Sequence, residues 1–145
     1  MVMQLKALSQ KYNIKEDTIR YYEKIGLLQP IRSKNGYRQY NEQCVNQLKM
    51  IVVLKQLGFS LGEIAKLIIL EQQEITTECN DSAVSLFEQK IKQLTYKLAF
   101  YQQAIQTLQD TKKLMEEEQY LANQKEMKQA IETLFNTLRR NDQHG

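Results

Sequence analysis

Apolar side chains recur every three to four positions along most of the chain, a pattern typical of amphipathic helices. Residues 2–12 are predicted to form a first helix with Leu5 and Leu8 on its inner face. Asn13 closes this helix, because Asn tolerates the left-handed backbone conformation. A second helix is predicted over residues 15–24 and ends at Gly26. Two short helices joined by so tight a turn predict a helix-turn-helix.

The helical pattern stops between residues 27 and 40, where the turn signal Asn35-Gly36 lies between two short extended segments. Both residues accept positive φ, so a two-residue type I′ hairpin is predicted. This hairpin is a β-wing whose polar and aromatic side chains are Arg32, Lys34 near the tip, Tyr37, Arg38 and Tyr40.

Two further helices follow the wing, each with a recognisable start. Asn41 caps a helix to about Leu57, which Gly58 ends. Ser60 and Glu63 form a Ser-x-x-Glu capping box that opens another helix to about residue 71.

From residue 84 onward the apolar spacing alternates between three and four for more than four heptads, interrupted only by Lys112. This a/d seam predicts a coiled-coil helix over residues 81–116, about 52 Å long for 35 residues. A helix so long needs a partner helix to bury its apolar side chains, most simply one from a second copy. The alternative is that it packs against the C-terminal segment of its own chain, which has an apolar stripe at Met127, Ile131, Leu134 and Leu138. The predicted dimerisation residues are Val84, Phe87, Ile91, Leu94, Leu98, Tyr101, Ile105, Leu108 and Met115.

The predicted fold is therefore mainly α: a winged helix-turn-helix head with a small β-wing, a long coiled-coil dimerisation helix and a short C-terminal helix. The corresponding domains are residues 1–75, 81–116 and 117–145, the last being a helical tail or effector region.

Charge is unevenly distributed, although the net charge of the chain is only +3. Residues 1–72 contain eleven Lys/Arg and six Asp/Glu, a net charge of +5, whereas residues 73–145 contain nine and eleven, a net charge of −2. A basic front half favours a polyanionic partner, although a chance imbalance on a solvated surface gives the same counts. No apolar run approaches the roughly 18 residues that span a bilayer, and the start lacks a secretory core. With only two cysteines, we expect a cytoplasmic protein without membrane association.

Residue types in the second helix and the wing suit duplex DNA, since a groove-binding helix needs polar side chains for base edges and cations for phosphates. Alternatively, Tyr21, Tyr22 and Tyr40 are core aromatics and the arginines are merely solvated. Adjacent tyrosines face apart on a helix, so at least one of Tyr21 and Tyr22 must pack inward. The candidates in the second helix are Lys15, Thr18, Arg20, Tyr21 and Tyr22.

Three segments together resemble the signature of the MerR family of transcriptional regulators: Thr18 to Leu28 with Pro30, Gly36-Tyr37-Arg38-x-Tyr40, and Leu57-Gly58-Phe59-Ser60-Leu61-x-Glu63-Ile64. The resemblance covers residues 2–71, and the coiled-coil helix agrees with it. It implies an antiparallel coil between two subunits that bind an inverted repeat in a promoter with widely spaced elements. It also implies that the activated dimer bends and untwists this DNA so that RNA polymerase engages both elements.

Carried over by position, the resemblance assigns groove and phosphate contacts to Thr18, Arg20, Tyr21 and Tyr22, wing contacts to Arg32, Tyr37, Arg38 and Tyr40, and further phosphate contacts to Lys55 and Ser60. Lys15 departs from the family pattern, which has a capping Ser or Thr there. Asn13 replaces the usual glycine and suits the turn.

The inducing signal is the least determined property. After Cys79 there is no further cysteine, and the only histidine is His144, so we predict no metal site and no cofactor. Cys44 lies in the first turn of its helix, where a helix N-terminus lowers a thiol pKa, so it is a candidate redox residue; the alternative is an ordinary cysteine. The other function classes are a coiled-coil adaptor whose head binds protein, and an enzyme, for which no catalytic set is found.

Overall fold

A computed structural model describes residues 2–72 and 76–144 of the chain. Within these residues there are six helices and one two-stranded antiparallel sheet, so the predicted mainly α fold with a winged head is confirmed. The chain divides into two compact units, Met1–Asn80 and Asp81–Gly145. The elements are α1 (Leu5–Tyr12), α2 (Glu16–Lys24), β1 (Ile31–Arg32), β2 (Arg38–Gln39), α3 (Glu42–Gln56), α4 (Leu61–Gln72), α5 (Thr77–Glu116) and α6 (Tyr120–His144).

The first unit, here called the head, is built around one apolar core to which all four of its helices contribute. Each helix turns its apolar stripe inward, so that burial of these side chains offsets the entropy lost when the chain folds. Fully buried side chains come from α1, α2, the segment after α2, α3 and α4; they include Leu8, Ile19, Leu28, Leu48, Ile51 and Ile64.

Three predicted helix ends are confirmed by the backbone conformation or the hydrogen bonds of their capping residues. Asn13 adopts the left-handed conformation with φ 53° and closes α1. The Asn41 side chain accepts a hydrogen bond from the Cys44 amide at 3.0 Å. Ser60 and Glu63 form the reciprocal capping box: the Glu63 amide donates to Ser60 Oγ at 3.1 Å, and the Ser60 amide donates to Glu63 Oε1 at 2.8 Å.

The wing turn differs from the type I′ prediction. The Gly36 amide donates to the Ser33 carbonyl at 2.9 Å, and the Ser33 amide donates to the Tyr37 carbonyl at 2.9 Å. Only Gly36 has positive φ, at 79°, whereas Asn35 does not. The loop therefore has three residues, a type I turn followed by a left-handed glycine, and it pairs Arg32 with Arg38 across the strands.

The start of the chain also differs from the prediction, because α1 begins at Leu5 and not at residue 2. Met3 instead pairs with Tyr40 as an isolated antiparallel bridge, with N–H···O distances of 2.9 and 2.7 Å. This bridge ties the start of the chain to the residue that follows β2, a non-local pairing that helical periodicity does not reveal.

The second unit is an antiparallel helix hairpin formed by residues 81–116 of α5 and by α6. The turn between the helices contains Glu118, which has φ 57°, and Thr137 Oγ1 donates to Gln103 Oε1 across the pair at 3.3 Å. α6 has 25 residues and is therefore longer than the short helix predicted. α5 starts at Thr77, before the predicted residue 81, and the Cys79 amide donates to Thr76 Oγ1 at 3.2 Å at this end. No described helix is both long and apolar enough to cross a bilayer.

Candidate nucleic-acid interface

The outer face of α2, together with its N-cap residue, carries four of the polar side chains predicted to meet DNA. Ile19 and Tyr22 anchor the helix in the core, which leaves Lys15, Arg20 and Tyr21 exposed and Thr18 half-buried. Lys15 stands at the N-cap without a side-chain capping bond, as its departure from the family pattern suggests. α2 therefore presents two cations and a tyrosine ring on a solvent-facing surface.

Arg20 is paired with carboxylates of its own helix. Its guanidinium lies 3.1 Å from Asp17 Oδ1 and 3.3 Å from Glu16 Oε2. Both pairs are at the surface, where such interactions contribute about 0–1 kcal/mol. A phosphate oxygen can therefore replace either carboxylate at little cost.

A single carboxylate connects α2 to both strands of the wing. Glu23 Oε2 accepts a hydrogen bond from Arg38 Nε at 2.7 Å, and Glu23 Oε1 lies 3.6 Å from Arg32 Nη2. Arg32 Nη1 also donates to the Gly36 carbonyl at 3.3 Å. Because Arg38 uses Nε, its two terminal nitrogens remain available for a phosphate. Glu23 was not among the predicted site residues, since a carboxylate in a basic region is not an obvious DNA-binding feature.

The elements α1, α2 and the wing enclose an open crevice of about 370 Å³, here called the wing crevice. Three cations line it, Lys6, Arg20 and Arg38, together with the exposed ring of Tyr37. Arg20, Tyr37 and Arg38 were predicted, whereas Lys6 was not, because nothing in the sequence of α1 indicates that it lies beside the wing. Lys34 is exposed near the wing tip, outside this crevice.

Two predicted contacts, Tyr22 and Tyr40, lie in the core and not on the exposed surface. Tyr22 is buried because Tyr21, its neighbour on α2, takes the outward position. Tyr40 is fully buried, and its hydroxyl has no hydrogen-bond partner among the described residues. Burial, and secondly the Glu23 carboxylate, raise the pKa of the Tyr40 hydroxyl. As placed, neither ring is available to a groove.

Lys55 and Ser60, the remaining predicted phosphate contacts, are exposed and lie outside the wing crevice. Lys55 Nζ lies 5.8 Å from the centre of the Tyr22 ring, a cation–π arrangement that holds the lysine beside α2. Ser60 Oγ accepts the Glu63 amide in the capping box, which leaves its own proton free to be donated to a phosphate.

The candidate redox residue Cys44 is buried, and its Sγ donates to the Gln29 carbonyl at 3.3 Å. Desolvation by burial raises the pKa of the Cys44 thiol, which opposes the thiolate that a redox role requires. These observations give the redox hypothesis no support. Among residues 2–72 and 76–144, there is no group of three or more His, Cys, Asp or Glu side chains able to hold a metal ion.

Most of the predicted dimerisation seam is exposed in the single chain. Val84, Ile91, Leu98 and Leu108 are examples, and Leu108 is 66% exposed. Leu94 alone among the predicted seam residues is half-buried. α6 therefore leaves the seam uncovered, and the α5 face that it does cover is a different one.

Comparisons with known proteins agree with this geometry. The family profile described as "MerR HTH family regulatory protein" matches residues 3–69, and that described as "MerR, DNA binding" matches residues 45–111. The chain is 36% identical over 110 residues to an uncharacterised HTH-type transcriptional regulator of Pseudomonas aeruginosa, covering 75% of this chain and 79% of that protein. It is 39% identical over 83 residues to a mercuric resistance operon regulatory protein of Bacillus cereus, covering 56% of this chain and 61% of that protein.

Solved structures show the same fold. A MerR family transcriptional regulator from Bacillus cereus is 27% identical with a TM-score of 0.60, covering 81% of this chain and 86% of that one. HiNmlR, a MerR family regulator lacking the sensor domain and bound to promoter DNA, is 24% identical with a TM-score of 0.69, covering 84% of this chain and 92% of that one. Together these matches account for the head and for the helix that follows it. The chain belongs to the MerR family of DNA-binding transcriptional regulators.

Proposed function

We propose that two copies of this chain bind an inverted repeat in a promoter and regulate transcription by distorting the DNA between the half-sites. The observation that carries the proposal is the wing crevice, where Lys6, Arg20 and Arg38 from three separate elements line one surface. α2 lies in a major groove in this arrangement, and the wing contacts the neighbouring backbone.

The seam of α5 supports the dimeric part of the proposal. Its side chains are apolar, regularly spaced and exposed, and burial in a coiled coil removes this surface from water. In a dimer with two-fold symmetry, the two heads bind half-sites of opposite orientation. The proposed target is therefore an inverted repeat.

The first experiment is selection of bound duplexes from a random pool by the reduced full-length protein. An inverted repeat is expected, with an affinity that falls steeply as salt rises, because each phosphate contact releases counterions. Enrichment of a single half-site would contradict the dimeric reading, and no enrichment would contradict DNA binding.

A matched pair of lysine variants tests the wing crevice. A dimer carrying Lys6→Gln loses two phosphate contacts, so the slope of log affinity against log salt becomes shallower by about 2. Lys128→Gln, on the exposed surface of α6, removes the same charge and is expected to leave the slope unchanged. Equal slopes in the two variants would remove the wing crevice from the interface.

Distortion is tested separately, by fluorescence energy transfer between the ends of the selected duplex. The expected result is a change in end-to-end distance on binding, and transcription by RNA polymerase that depends on the length of the promoter spacer. Binding with no change in end-to-end distance would leave a DNA-binding dimer but contradict the distortion mechanism.

A further inference from the structure

The helix hairpin has one apolar and one polar side, and the apolar side is contributed by both helices. On α5, the face against α6 is marked by half-buried Phe100, Ala104 and Thr107, and on α6 by Ala130, Leu134 and Thr137. In an antiparallel pair, the residues that follow these contacts by one position emerge on the same side. Two antiparallel helices are related by a two-fold axis perpendicular to the plane that contains both helix axes. Rotation about this axis exchanges the helices but keeps each side of the plane on the same side, so equivalent positions of the two helices lie on one side.

The residues one position after the contacts are apolar on both helices. On α5 they are Tyr101, Ile105 and Leu108, and on α6 they are Ile131, Phe135 and Leu138, all of them exposed. The residues one position before the contacts form the opposite side, which is mainly polar: Ala99, Gln103 and Gln106 on α5, and Gln129, Thr133 and Asn136 on α6. The exposed apolar stripe of α6 is therefore continuous with the dimerisation seam of α5.

We infer that a second copy of the chain covers the α6 stripe as well as the α5 seam, so that each subunit contributes two helices to the interface. This inference rests on the proposed dimer and extends it. We assign the second copy to the α6 stripe because the stripe is continuous with the α5 seam. A partner helix that covers Leu108 of the seam lies beside Ile131 of the stripe, which is 57% exposed in the single chain.

The antiparallel coil that the family resemblance implies determines which part of the second copy meets α6. The seam runs from Val84 to Met115 and is symmetric about its centre, so antiparallel pairing places each seam position opposite another seam position. Ile91 of one copy then lies opposite Leu108 of the other.

The hydrogen bond between Gln103 and Thr137 sets the level of α6, with Ile131 within one residue of the level of Leu108. α6 of one copy therefore lies along the N-terminal half of α5 in the other, and Ile131 is level with Ile91 of the second copy.

The first test compares the dimer dissociation constants of full-length variants by sedimentation over a dilution series. Ile131→Glu is expected to raise the constant roughly tenfold or more, since two carboxylates enter an apolar interface. Thr133→Glu is the matched control, because it places the same charge on the polar side of the same helix and is expected to leave dimerisation unchanged. Circular dichroism establishes whether each variant retains its helices.

Cysteine cross-linking provides a second measurement that does not require a destabilising charge. Cys44 and Cys79 are first replaced by serine, and then cysteines are introduced by Ile91→Cys and Ile131→Cys. Within one chain these positions are separated by about 17 residues of helix, or roughly 25 Å, far beyond the reach of a disulfide. A disulfide between them therefore joins two copies, and the expected product of mild oxidation is a covalent dimer.

Leu108→Glu distinguishes failure of this inference from failure of the proposed dimer. If Leu108→Glu gives monomers while Ile131→Glu dimerises like Thr133→Glu and no cross-link forms, the dimer stands and the role of α6 is refuted. The stripe would then be available to a ligand or another protein. If Leu108→Glu leaves the dimer intact, the seam is not the interface, and both proposals fail.

Discussion

The ion pair between Glu23 and Arg38 is expected to stabilise the folded head, and its strength can be worked out from the structure. The Glu23 side chain is only 17% exposed and the Arg38 side chain is 36% exposed, with 2.7 Å between their interacting atoms. A charge-assisted hydrogen bond with this partial burial contributes about 1–2 kcal/mol, more than a pair at the open surface.

A double-mutant cycle isolates this interaction from the other effects of each substitution. Glu23→Gln, Arg38→Gln and the double variant are unfolded by urea at one fixed protein concentration, because unfolding of a dimer depends on concentration. The expected coupling free energy is about 1–2 kcal/mol, and it decreases between 0.1 and 1 M salt as the charges are screened.

The pair between Glu23 and Arg32 is the matched control, because it uses the same carboxylate. Its atoms are 3.6 Å apart and the Arg32 side chain is 58% exposed, so a coupling below about 0.5 kcal/mol is expected. Equal couplings for the two arginines, or none for Arg38, would refute the argument from distance and burial.

Three further predictions concern single positions. Tyr40→Phe removes a buried hydroxyl that has no hydrogen-bond partner among the described residues, so the free energy of unfolding in urea is expected to be unchanged or to rise by up to about 1 kcal/mol. A clear fall in this free energy would show that the hydroxyl has a hydrogen-bond partner. Because burial raises the pKa of the Cys44 thiol, Cys44 is expected to react with iodoacetamide at pH 7.5 more slowly than half-buried Cys79. Mass spectrometry of the digested protein measures both rates, and faster labelling of Cys44 would support a redox role for it. Glu118 has φ 57°, a left-handed conformation that glycine adopts more easily than alanine. Glu118→Gly is therefore expected to be more stable than Glu118→Ala by about 0.5–1 kcal/mol, measured by thermal unfolding. Equal melting temperatures for the two variants would contradict the left-handed conformation.

The parts of the fold that the sequence predicts well are those specified by neighbouring residues. Asn41, Ser60 and Glu63 act within three positions of their partners, so their capping bonds follow from the local sequence. The sequence locates the wing correctly but predicts the wrong type of turn. Asn35-Gly36 suits either a two-residue or a three-residue loop, and the strand register, which the dipeptide does not fix, decides between them.

The parts that the sequence predicts poorly depend on contacts between distant residues. Helical spacing establishes that one of the adjacent tyrosines is buried, but not which one. Tyr40 lies in the core, and its backbone pairs with Met3, near the start of the chain. Lys6 lines the wing crevice only because α1 packs beside α2 and the wing. None of these placements has a periodic or motif signal.

The arginines of the candidate interface illustrate why net charge alone is a poor guide to DNA binding. Arg20 and Arg38 are each paired with carboxylates, which lowers the net charge of the head. The exposed pairs at Arg20 are weak enough to exchange for a phosphate, whereas the partly buried pair between Glu23 and Arg38 joins α2 to the wing through Arg38 Nε alone.

Glu23→Gln therefore distinguishes the effect of charge on DNA binding from the effect of wing geometry. It adds one positive charge to each subunit, so charge alone predicts tighter binding, but it also weakens the hold of α2 on the wing. If the wing must be held in place to meet DNA, the variant binds the selected repeat more weakly despite its greater charge, while its affinity for unrelated duplexes is unchanged or higher. Tighter binding to both would mean that Glu23 acts mainly by repelling phosphates and not by positioning Arg38.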